Sequence, residues 1–172
     1  MTKVAIIADT HFGVRNDHPK MLESMTRFLS DVFLPRLIAD GITTVVHLGD
    51  VFDRRKYVNI VTADAAMRYL IEPLLARGIN LHVLVGNHDC YYRNTNKVNS
   101  IRALYQEAMS RVVTNRGKMT VYEEPTEVVL CGVKTLMVPW IPSDNAAAHG
   151  EFIKNSKARL CLGHLELEGF DM

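Results

Sequence analysis

Three apolar runs in this sequence stop on residues that can bind metal or move protons. Lys3-Val4-Ala5-Ile6-Ile7-Ala8 ends in Asp9-Thr10-His11, Thr43 to Leu48 ends in Gly49-Asp50-Val51-Phe52-Asp53-Arg54, and Asn80 to Val85 ends in Gly86-Asn87-His88-Asp89. Carboxylates, imidazoles and an amide make the mixed oxygen and nitrogen donor set that suits manganese, iron or zinc better than calcium, which takes an all-oxygen shell. A short β-branched or aliphatic run bounded by glycine reads as a buried strand of a mostly parallel sheet, and such sheets gather ligands beyond the carboxyl ends of their strands. The three strands are therefore expected to bring Asp9, His11, Asp50, Asn87 and His88 to one edge. A lone Asp in such a place is ordinarily a cap or turn residue, and it is the joint pattern that points to a site.

The elements between these runs are those that position them. After the first strand, Lys3 to Ala8, a polar loop from Phe12 to Pro19 leads into a helix over Lys20 to Ala39. Its apolar positions Met21, Leu22, Met25, Phe28, Leu29, Val32, Phe33 and Leu37 recur at three- and four-residue steps, Gly41 supplies the stop, and Pro35 is expected to kink it. A second helix, Val61 to Ala76, carries Ala65, Ala66, Tyr69, Leu70 and Leu74, with Pro73 in its last turn and Gly78 after it. The reading so far is β-α-β-α-β with right-handed connections.

Beyond Asn94-Thr95-Asn96 the pattern loosens. A third helix is expected from Lys97 or Asn99 to Met109, then shorter strands at Thr120–Tyr122, Thr126–Cys131 and Thr135–Trp140, the last two joined through Gly132 as a hairpin. Asp144 is the expected N-cap of a helix to Asn155, and Arg159-Leu160-Cys161-Leu162 is a further short strand that ends in Gly163-His164. The sheet here is expected to be mixed.

With 172 residues and 48% hydrophobic content, the chain has room for one domain with a substantial core. A formal net charge of +1 gives no global basic field, so any nucleic-acid footprint must be local. Cys90, Cys131 and Cys161 form no CxxC pattern, which argues against a disulfide framework or a zinc-thiolate site; Cys131 and Cys161 read as small core residues of strands. No basic leader or long apolar segment occurs, and the expected location is the cytoplasm. His47 and His82 fall inside expected strands and read as satisfied core histidines, while His149 and His18 read as surface.

Asp9-x-His11, Gly49-Asp50-x-x-Asp53-Arg54, Gly86-Asn87-His88-Asp89 and Gly163-His164 resemble the ordered blocks of the calcineurin-like metallophosphoesterases, and together they span nearly the whole chain. Phe12-Gly13, the block spacing and the string from Val46 to Asp53 are similar to the nuclease subunit of recombination and double-strand-break-repair complexes, phage ones included. The resemblance implies an α/β fold: a two-sheet β-sandwich flanked by helices in α-β-β-α layers. It also implies a two-metal site that hydrolyses phosphodiesters, with manganese as the first choice and iron or zinc as alternatives. Two ions roughly 3.5–4 Å apart can bind both the attacking and the leaving oxygen of an in-line displacement and lower the pKa of a water.

On this resemblance Asp50 bridges the ions, Asp9 and His11 hold one, and Asn87 and His164 hold the other. His88 is the acid that protonates the leaving oxygen, Asp53 orients His88, and Arg54 meets a phosphate oxygen. The repair nucleases often carry His where this chain has Asp53, which keeps open a phosphatase or cyclic-nucleotide phosphodiesterase; a non-catalytic scaffold of the same fold is the third reading. Arg54-Arg55-Lys56-Tyr57 and Tyr91-Tyr92-Arg93 pair cations with aromatics, as a groove for DNA would need, or form solvated loops. An ATPase partner with a long coiled coil and a homodimer are also implied. Relatives carry a later Gly-His-x-His block, whereas Gly163-His164 is followed here by Leu165-Glu166. The expectation is therefore a single domain, residues 1–172, incomplete at its C-terminus, that binds metal weakly and has little activity alone.

Overall fold

A computed structural model describes residues 3–111 and 117–166. The first sheet contains β1 (Ala5–Ile7), β2 (Thr44–His47), β3 (Asn80–Leu84) and β4 (Met119–Tyr122) in that spatial order, all parallel. The second contains β5 (Thr126–Leu130), β6 (Val133–Val138) and β7 (Leu160–Gly163); β5 and β6 are antiparallel, β6 and β7 parallel. The expected mixed sheet is this second one.

Alternation along the strands creates two cores. One face of the first sheet, with Val45, Leu81, Val83 and Met119, packs against Leu29, Leu37, Leu70 and Leu74 of the two crossover helices. The other face, with Val46, Leu84 and Tyr122, meets Leu130 and Met137 of the second sheet. Each fully buried leucine contributes about 1.5–3 kcal/mol by leaving water. The result is the expected α/β sandwich of two sheets with helices outside.

Helix α1 covers 19–39 and α2 covers 60–76, and each is built in three pieces. Pro19 opens α1 at the first helical position, where its missing N–H is not needed, and the Asn59 side chain accepts the Val61 N–H to cap α2. Inside each helix a proline lacks the N–H that the carbonyl four residues back would receive, and its ring strikes that carbonyl. The chain answers by widening the turn before it: Phe28–Phe33 precedes Pro35 and Met67–Ile71 precedes Pro73, both in π-helical winding. α3 is Ser100–Arg111 and α4 is Ala146–Asn155.

Four expectations need correction. β1 is the edge of its sheet and not a fully buried strand; Ile6 is 50% exposed, because an apolar run alone does not reveal which strand lies outermost. Cys131 sits with Gly132 in the two-residue turn between β5 and β6, both at positive φ, and Cys161 lies on the outer strand β7, so both thiols are exposed. His149 is buried on the inward face of α4. The residue before α4 is Asn145, which makes no side-chain cap, while the Asp144 N–H donates to the Asn94 carbonyl.

Candidate metal centre

The pairing of β1 with β2 continues past the strands as an irregular ladder, and this ladder aims the site residues. Asp9 N–H donates to Gly49 O, His11 N–H to Asp50 O, Phe12 N–H to Val51 O and Asp53 N–H to Phe12 O. Along it Asp9, His11 and Asp50 have φ of 51°, 42° and 54°, the left-handed region that non-glycine residues rarely occupy. Such strain persists where surrounding bonds over-determine the backbone, and here it turns three side chains to one edge.

Two buried groups supply that constraint. Asp89 accepts N–H bonds from Asp50 (2.9 Å), Phe52 (3.1 Å) and Gly86 (3.0 Å), clamping the loops after β2 and β3 together. Burial pushes its carboxyl up to about 7, against the downward pull of those three donors. His47 is held down to about 3 by burial and is neutral. Gly49 N–H donates to its Nδ1 (3.2 Å), so the proton sits on Nε2 and is donated to Thr10 Oγ1 (3.0 Å), whose hydroxyl donates to Val51 O (3.2 Å). The core-histidine reading of His47 holds, and the residue also ties the loop of Asp9 and His11 to that of Asp50. Sequence reasoning gave neither Asp89 nor Thr10 a role; the one available signal was the place of Asp89 in the Gly-Asn-His-Asp block.

The donors form two groups around Asp50: His11 with Asp50 and His88, and Asp9 with Asp50 and His164. His11 Nε2 lies 3.7 Å from Asp50 Oδ2, and His164 Nε2 lies 3.5 Å from Asp50 Oδ1. Asp50 stands in both groups, between the side of His11 and the side of His164. His164 follows β7 of the second sheet and crosses to the first: its Nδ1–H donates to Leu48 O (3.0 Å), leaving the Nε2 lone pair 2.8 Å from Asn87 Oδ1.

His88 donates its backbone N–H to Asp50 Oδ1 (2.8 Å) and its Nδ1–H to the Asp53 carbonyl (2.6 Å), leaving Nε2 available. Asp53 therefore orients His88 through its backbone; its carboxylate lies instead 3.6 Å from His11 Nδ1, a buried atom with no hydrogen-bond partner. His11 packs edge-on to His88 with centroids 4.9 Å apart. Imidazoles and carboxylates gathered around the buried Asp50, with His11 Nδ1 buried and unpartnered, fit divalent cations of the manganese, iron or zinc kind.

Arg54, expected at a phosphate oxygen, is tied up elsewhere. Arg15, Asn16 and Asp17 form a left-handed turn (φ 53°, 62° and 57°), and Arg54 binds Asp17 Oδ2 (3.2 Å), Asn16 Oδ1 and the Tyr57 hydroxyl while lying over the Tyr57 ring. Thr62 donates to the other Asp17 oxygen at 2.7 Å. His18 is exposed, as expected.

The glycines of the motifs are steric requirements. A Cβ on Gly49, which has φ +107°, would stand 2.7 Å from His164 Nδ1, and one on Gly86 would collide with the Asp50 amide nitrogen and Oδ1. Gly86→Ala should therefore displace Asp50 and weaken manganese binding about tenfold or more, since relieving such strain costs of order 1–3 kcal/mol. Calorimetric titration beside a circular-dichroism spectrum checks this, and unchanged affinity in a folded variant would show that the loops can part freely.

The chain is 32% identical over 172 residues to exonuclease subunit 1 of Enterobacteria phage T4, covering 98% of this chain and 47% of that protein, so it spans about half the length of the curated relative. A structure of a protein of unknown function from Aquifex aeolicus is 18% identical, with a TM-score of 0.47 over 96% of this chain and 81% of that one. Among the described residues no helix is long and apolar enough to cross a membrane. The profile of the calcineurin-like phosphoesterases matches residues 2–164, a span that holds every candidate donor from Asp9 to His164; the chain belongs to that family of metal-dependent phosphoesterases.

Proposed function

We propose that this chain carries the two-metal centre of a DNA nuclease that acts in recombination or double-strand-break repair. The observation that supports it most is the position of Asp50, buried between two donor groups with one oxygen facing each. Asp9, His11, Asp50, Asn87 and His164 would hold two divalent ions, manganese in the first instance. When bound, such ions polarise phosphoryl oxygens and favour ionisation of water. His88, fixed by the Asp53 carbonyl and with Nε2 free, would give a proton to the oxygen that leaves phosphorus. Tyr91 and Tyr92, both partly exposed and edge-to-face at 4.7 Å, would offer stacking surfaces to bases.

The likeness to an exonuclease subunit supports DNA as the substrate, and resemblance to subunits of that kind supports a cytoplasmic location, an ATPase partner with a long coiled coil and a homodimer. A phosphatase or cyclic-nucleotide phosphodiesterase on the same centre is favoured by one feature, the Asp53 carboxylate beside His11. Single-stranded DNA, duplex DNA, an aryl phosphodiester, a cyclic nucleotide and a phosphomonoester, each assayed with manganese, separate these readings. The nuclease reading expects DNA to be cleaved with the highest kcat/KM. Preference for the monoester or the cyclic nucleotide would replace it, and absence of both manganese binding and hydrolysis would leave a scaffold.

A further inference from the structure

Two adjacent arginines follow the metal-site loop, and their surroundings differ in a way that assigns them different work. The guanidinium of Arg54 has its edge filled by Asp17, Asn16 and Tyr57 and its face on the Tyr57 ring. Among the described residues Arg55 has only its face engaged, over Trp140 at 5.2 Å to the ring centroid. Its Nη1 is buried without a hydrogen-bond partner, and among the described residues no carboxylate lies at ion-pair distance from it. A guanidinium stacked on indole keeps its five in-plane N–H donors free, and donors left unsatisfied in a partly buried place carry a free-energy cost that an anion would remove.

The location of this unpaired cation is set on three sides by the site. Arg55 stands two residues after Asp53, whose carbonyl holds His88. Its charge reaches Cys90, two residues after His88. Trp140 donates its backbone N–H to Val85 O (2.8 Å) and its indole N–H to Glu166 Oε1 (3.2 Å), so the ring that supports Arg55 is moored between the loop of Asn87 and the segment that follows His164. The mooring keeps a long, flexible side chain in one orientation, which lowers the entropy lost when it grips a ligand.

We propose that Arg55, held flat by Trp140, is the residue that receives a backbone phosphate of the nucleic-acid strand next to the scissile one, and that Arg54 positions the 13–17 turn and the Asp53 peptide. A planar fork matches two phosphate oxygens, and one such contact releases a counterion without reading sequence. This assignment rests on the nuclease reading and names a substrate contact within it.

The test uses Arg55→Met, which keeps an unbranched stem against the indole, and Arg55→Lys, which keeps the charge. Binding of a fluorescein-labelled single-stranded oligonucleotide, followed by anisotropy without divalent ions across a salt series, should show R55M several-fold weaker, with the slope of log K against log salt shallower by about 0.7. R55K should keep the wild-type slope. Hydrolysis of bis-p-nitrophenyl phosphate with manganese, a diester with no neighbouring phosphate, should change less than about twofold in either variant, and melting temperatures report whether each is folded. Unchanged affinity and slope in R55M would overturn the assignment of Arg55 alone. An equal loss on the small diester would overturn it too, by making Arg55 a support of the centre. A wild-type protein that hydrolyses the small diester but binds no DNA would overturn the nuclease reading itself, and the Arg55 assignment with it.

Discussion

Asp50→Asn is expected to leave the protein folded while removing both manganese sites and lowering turnover by about 10³-fold or more. The carboxylate accepts the His88 N–H on Oδ1, a bond that an amide oxygen can replace, so the loop after β3 keeps its anchor. What an amide cannot replace is the negative charge shared between the two groups, with His164 Nε2 on one oxygen and His11 Nε2 on the other. One lobe of Asn would turn an NH₂ donor towards an imidazole lone pair and close that position to a cation. Charge stabilisation by paired ions is worth several kcal/mol in the transition state, and each 1.36 kcal/mol is tenfold in rate. Calorimetry with manganese decides the matter: a variant with one site intact and the other lost would show that Asp50 serves a single ion.

How Asp50 could be singled out from sequence, while Arg55 read only as one of a run of cations and aromatics, comes down to which interactions are local. An apolar run that stops on Gly-Asp carries its own explanation, since the strand and the turn that ends it at Gly49, with its positive φ, are written within a few residues. The sandwich was implied by the family resemblance, and the structure gives its physical basis: Val45, Leu81 and Val83 face one core while Val46 and Leu84 face the other. Arg54 and Arg55 are indistinguishable as letters. Their difference arises from a left-handed turn at Arg15 to Asp17 and from Trp140, partners far along the chain that neither propensity nor spacing announces.

The contact of His164 with Leu48 O is of the long-range kind too: His164 arrives from the second sheet, and its place beside Asp50 and Asn87 depends on how the two sheets stack. Asp89 and His47 lay in plain view but looked like a motif terminus and a core residue. Only the bonds of Asp89 to Asp50, Phe52 and Gly86, and of His47 to Gly49 and Thr10, show that the strained backbone under the site depends on them. Exposure of Cys131 and burial of His149 likewise follow from a turn and a helix face that sequence leaves undetermined.

His88→Ala should separate metal binding from proton transfer at this edge. His88 is within ligand distance of His11 and Asp50, so geometry alone would allow it to be a third donor of that group. Its Nδ1–H is committed to the Asp53 carbonyl at 2.6 Å, and its backbone N–H is committed to Asp50, so the ring is fixed with Nε2 as its one free nitrogen. A group held in this way can accept a proton from solvent and give it to a leaving oxygen, and removing a general acid lowers turnover by roughly 10²–10⁴. The backbone bond to Asp50 survives in Ala, which leaves the bridge where it was. The expected result is manganese affinity near wild type, a fall of that size in kcat on DNA, and a much smaller change in KM. A substrate whose leaving group is p-nitrophenolate needs little protonation, so its hydrolysis should fall far less. Loss of manganese together with activity on both substrates would make His88 a metal ligand, because a proton donor can be removed without emptying the site, whereas a ligand cannot.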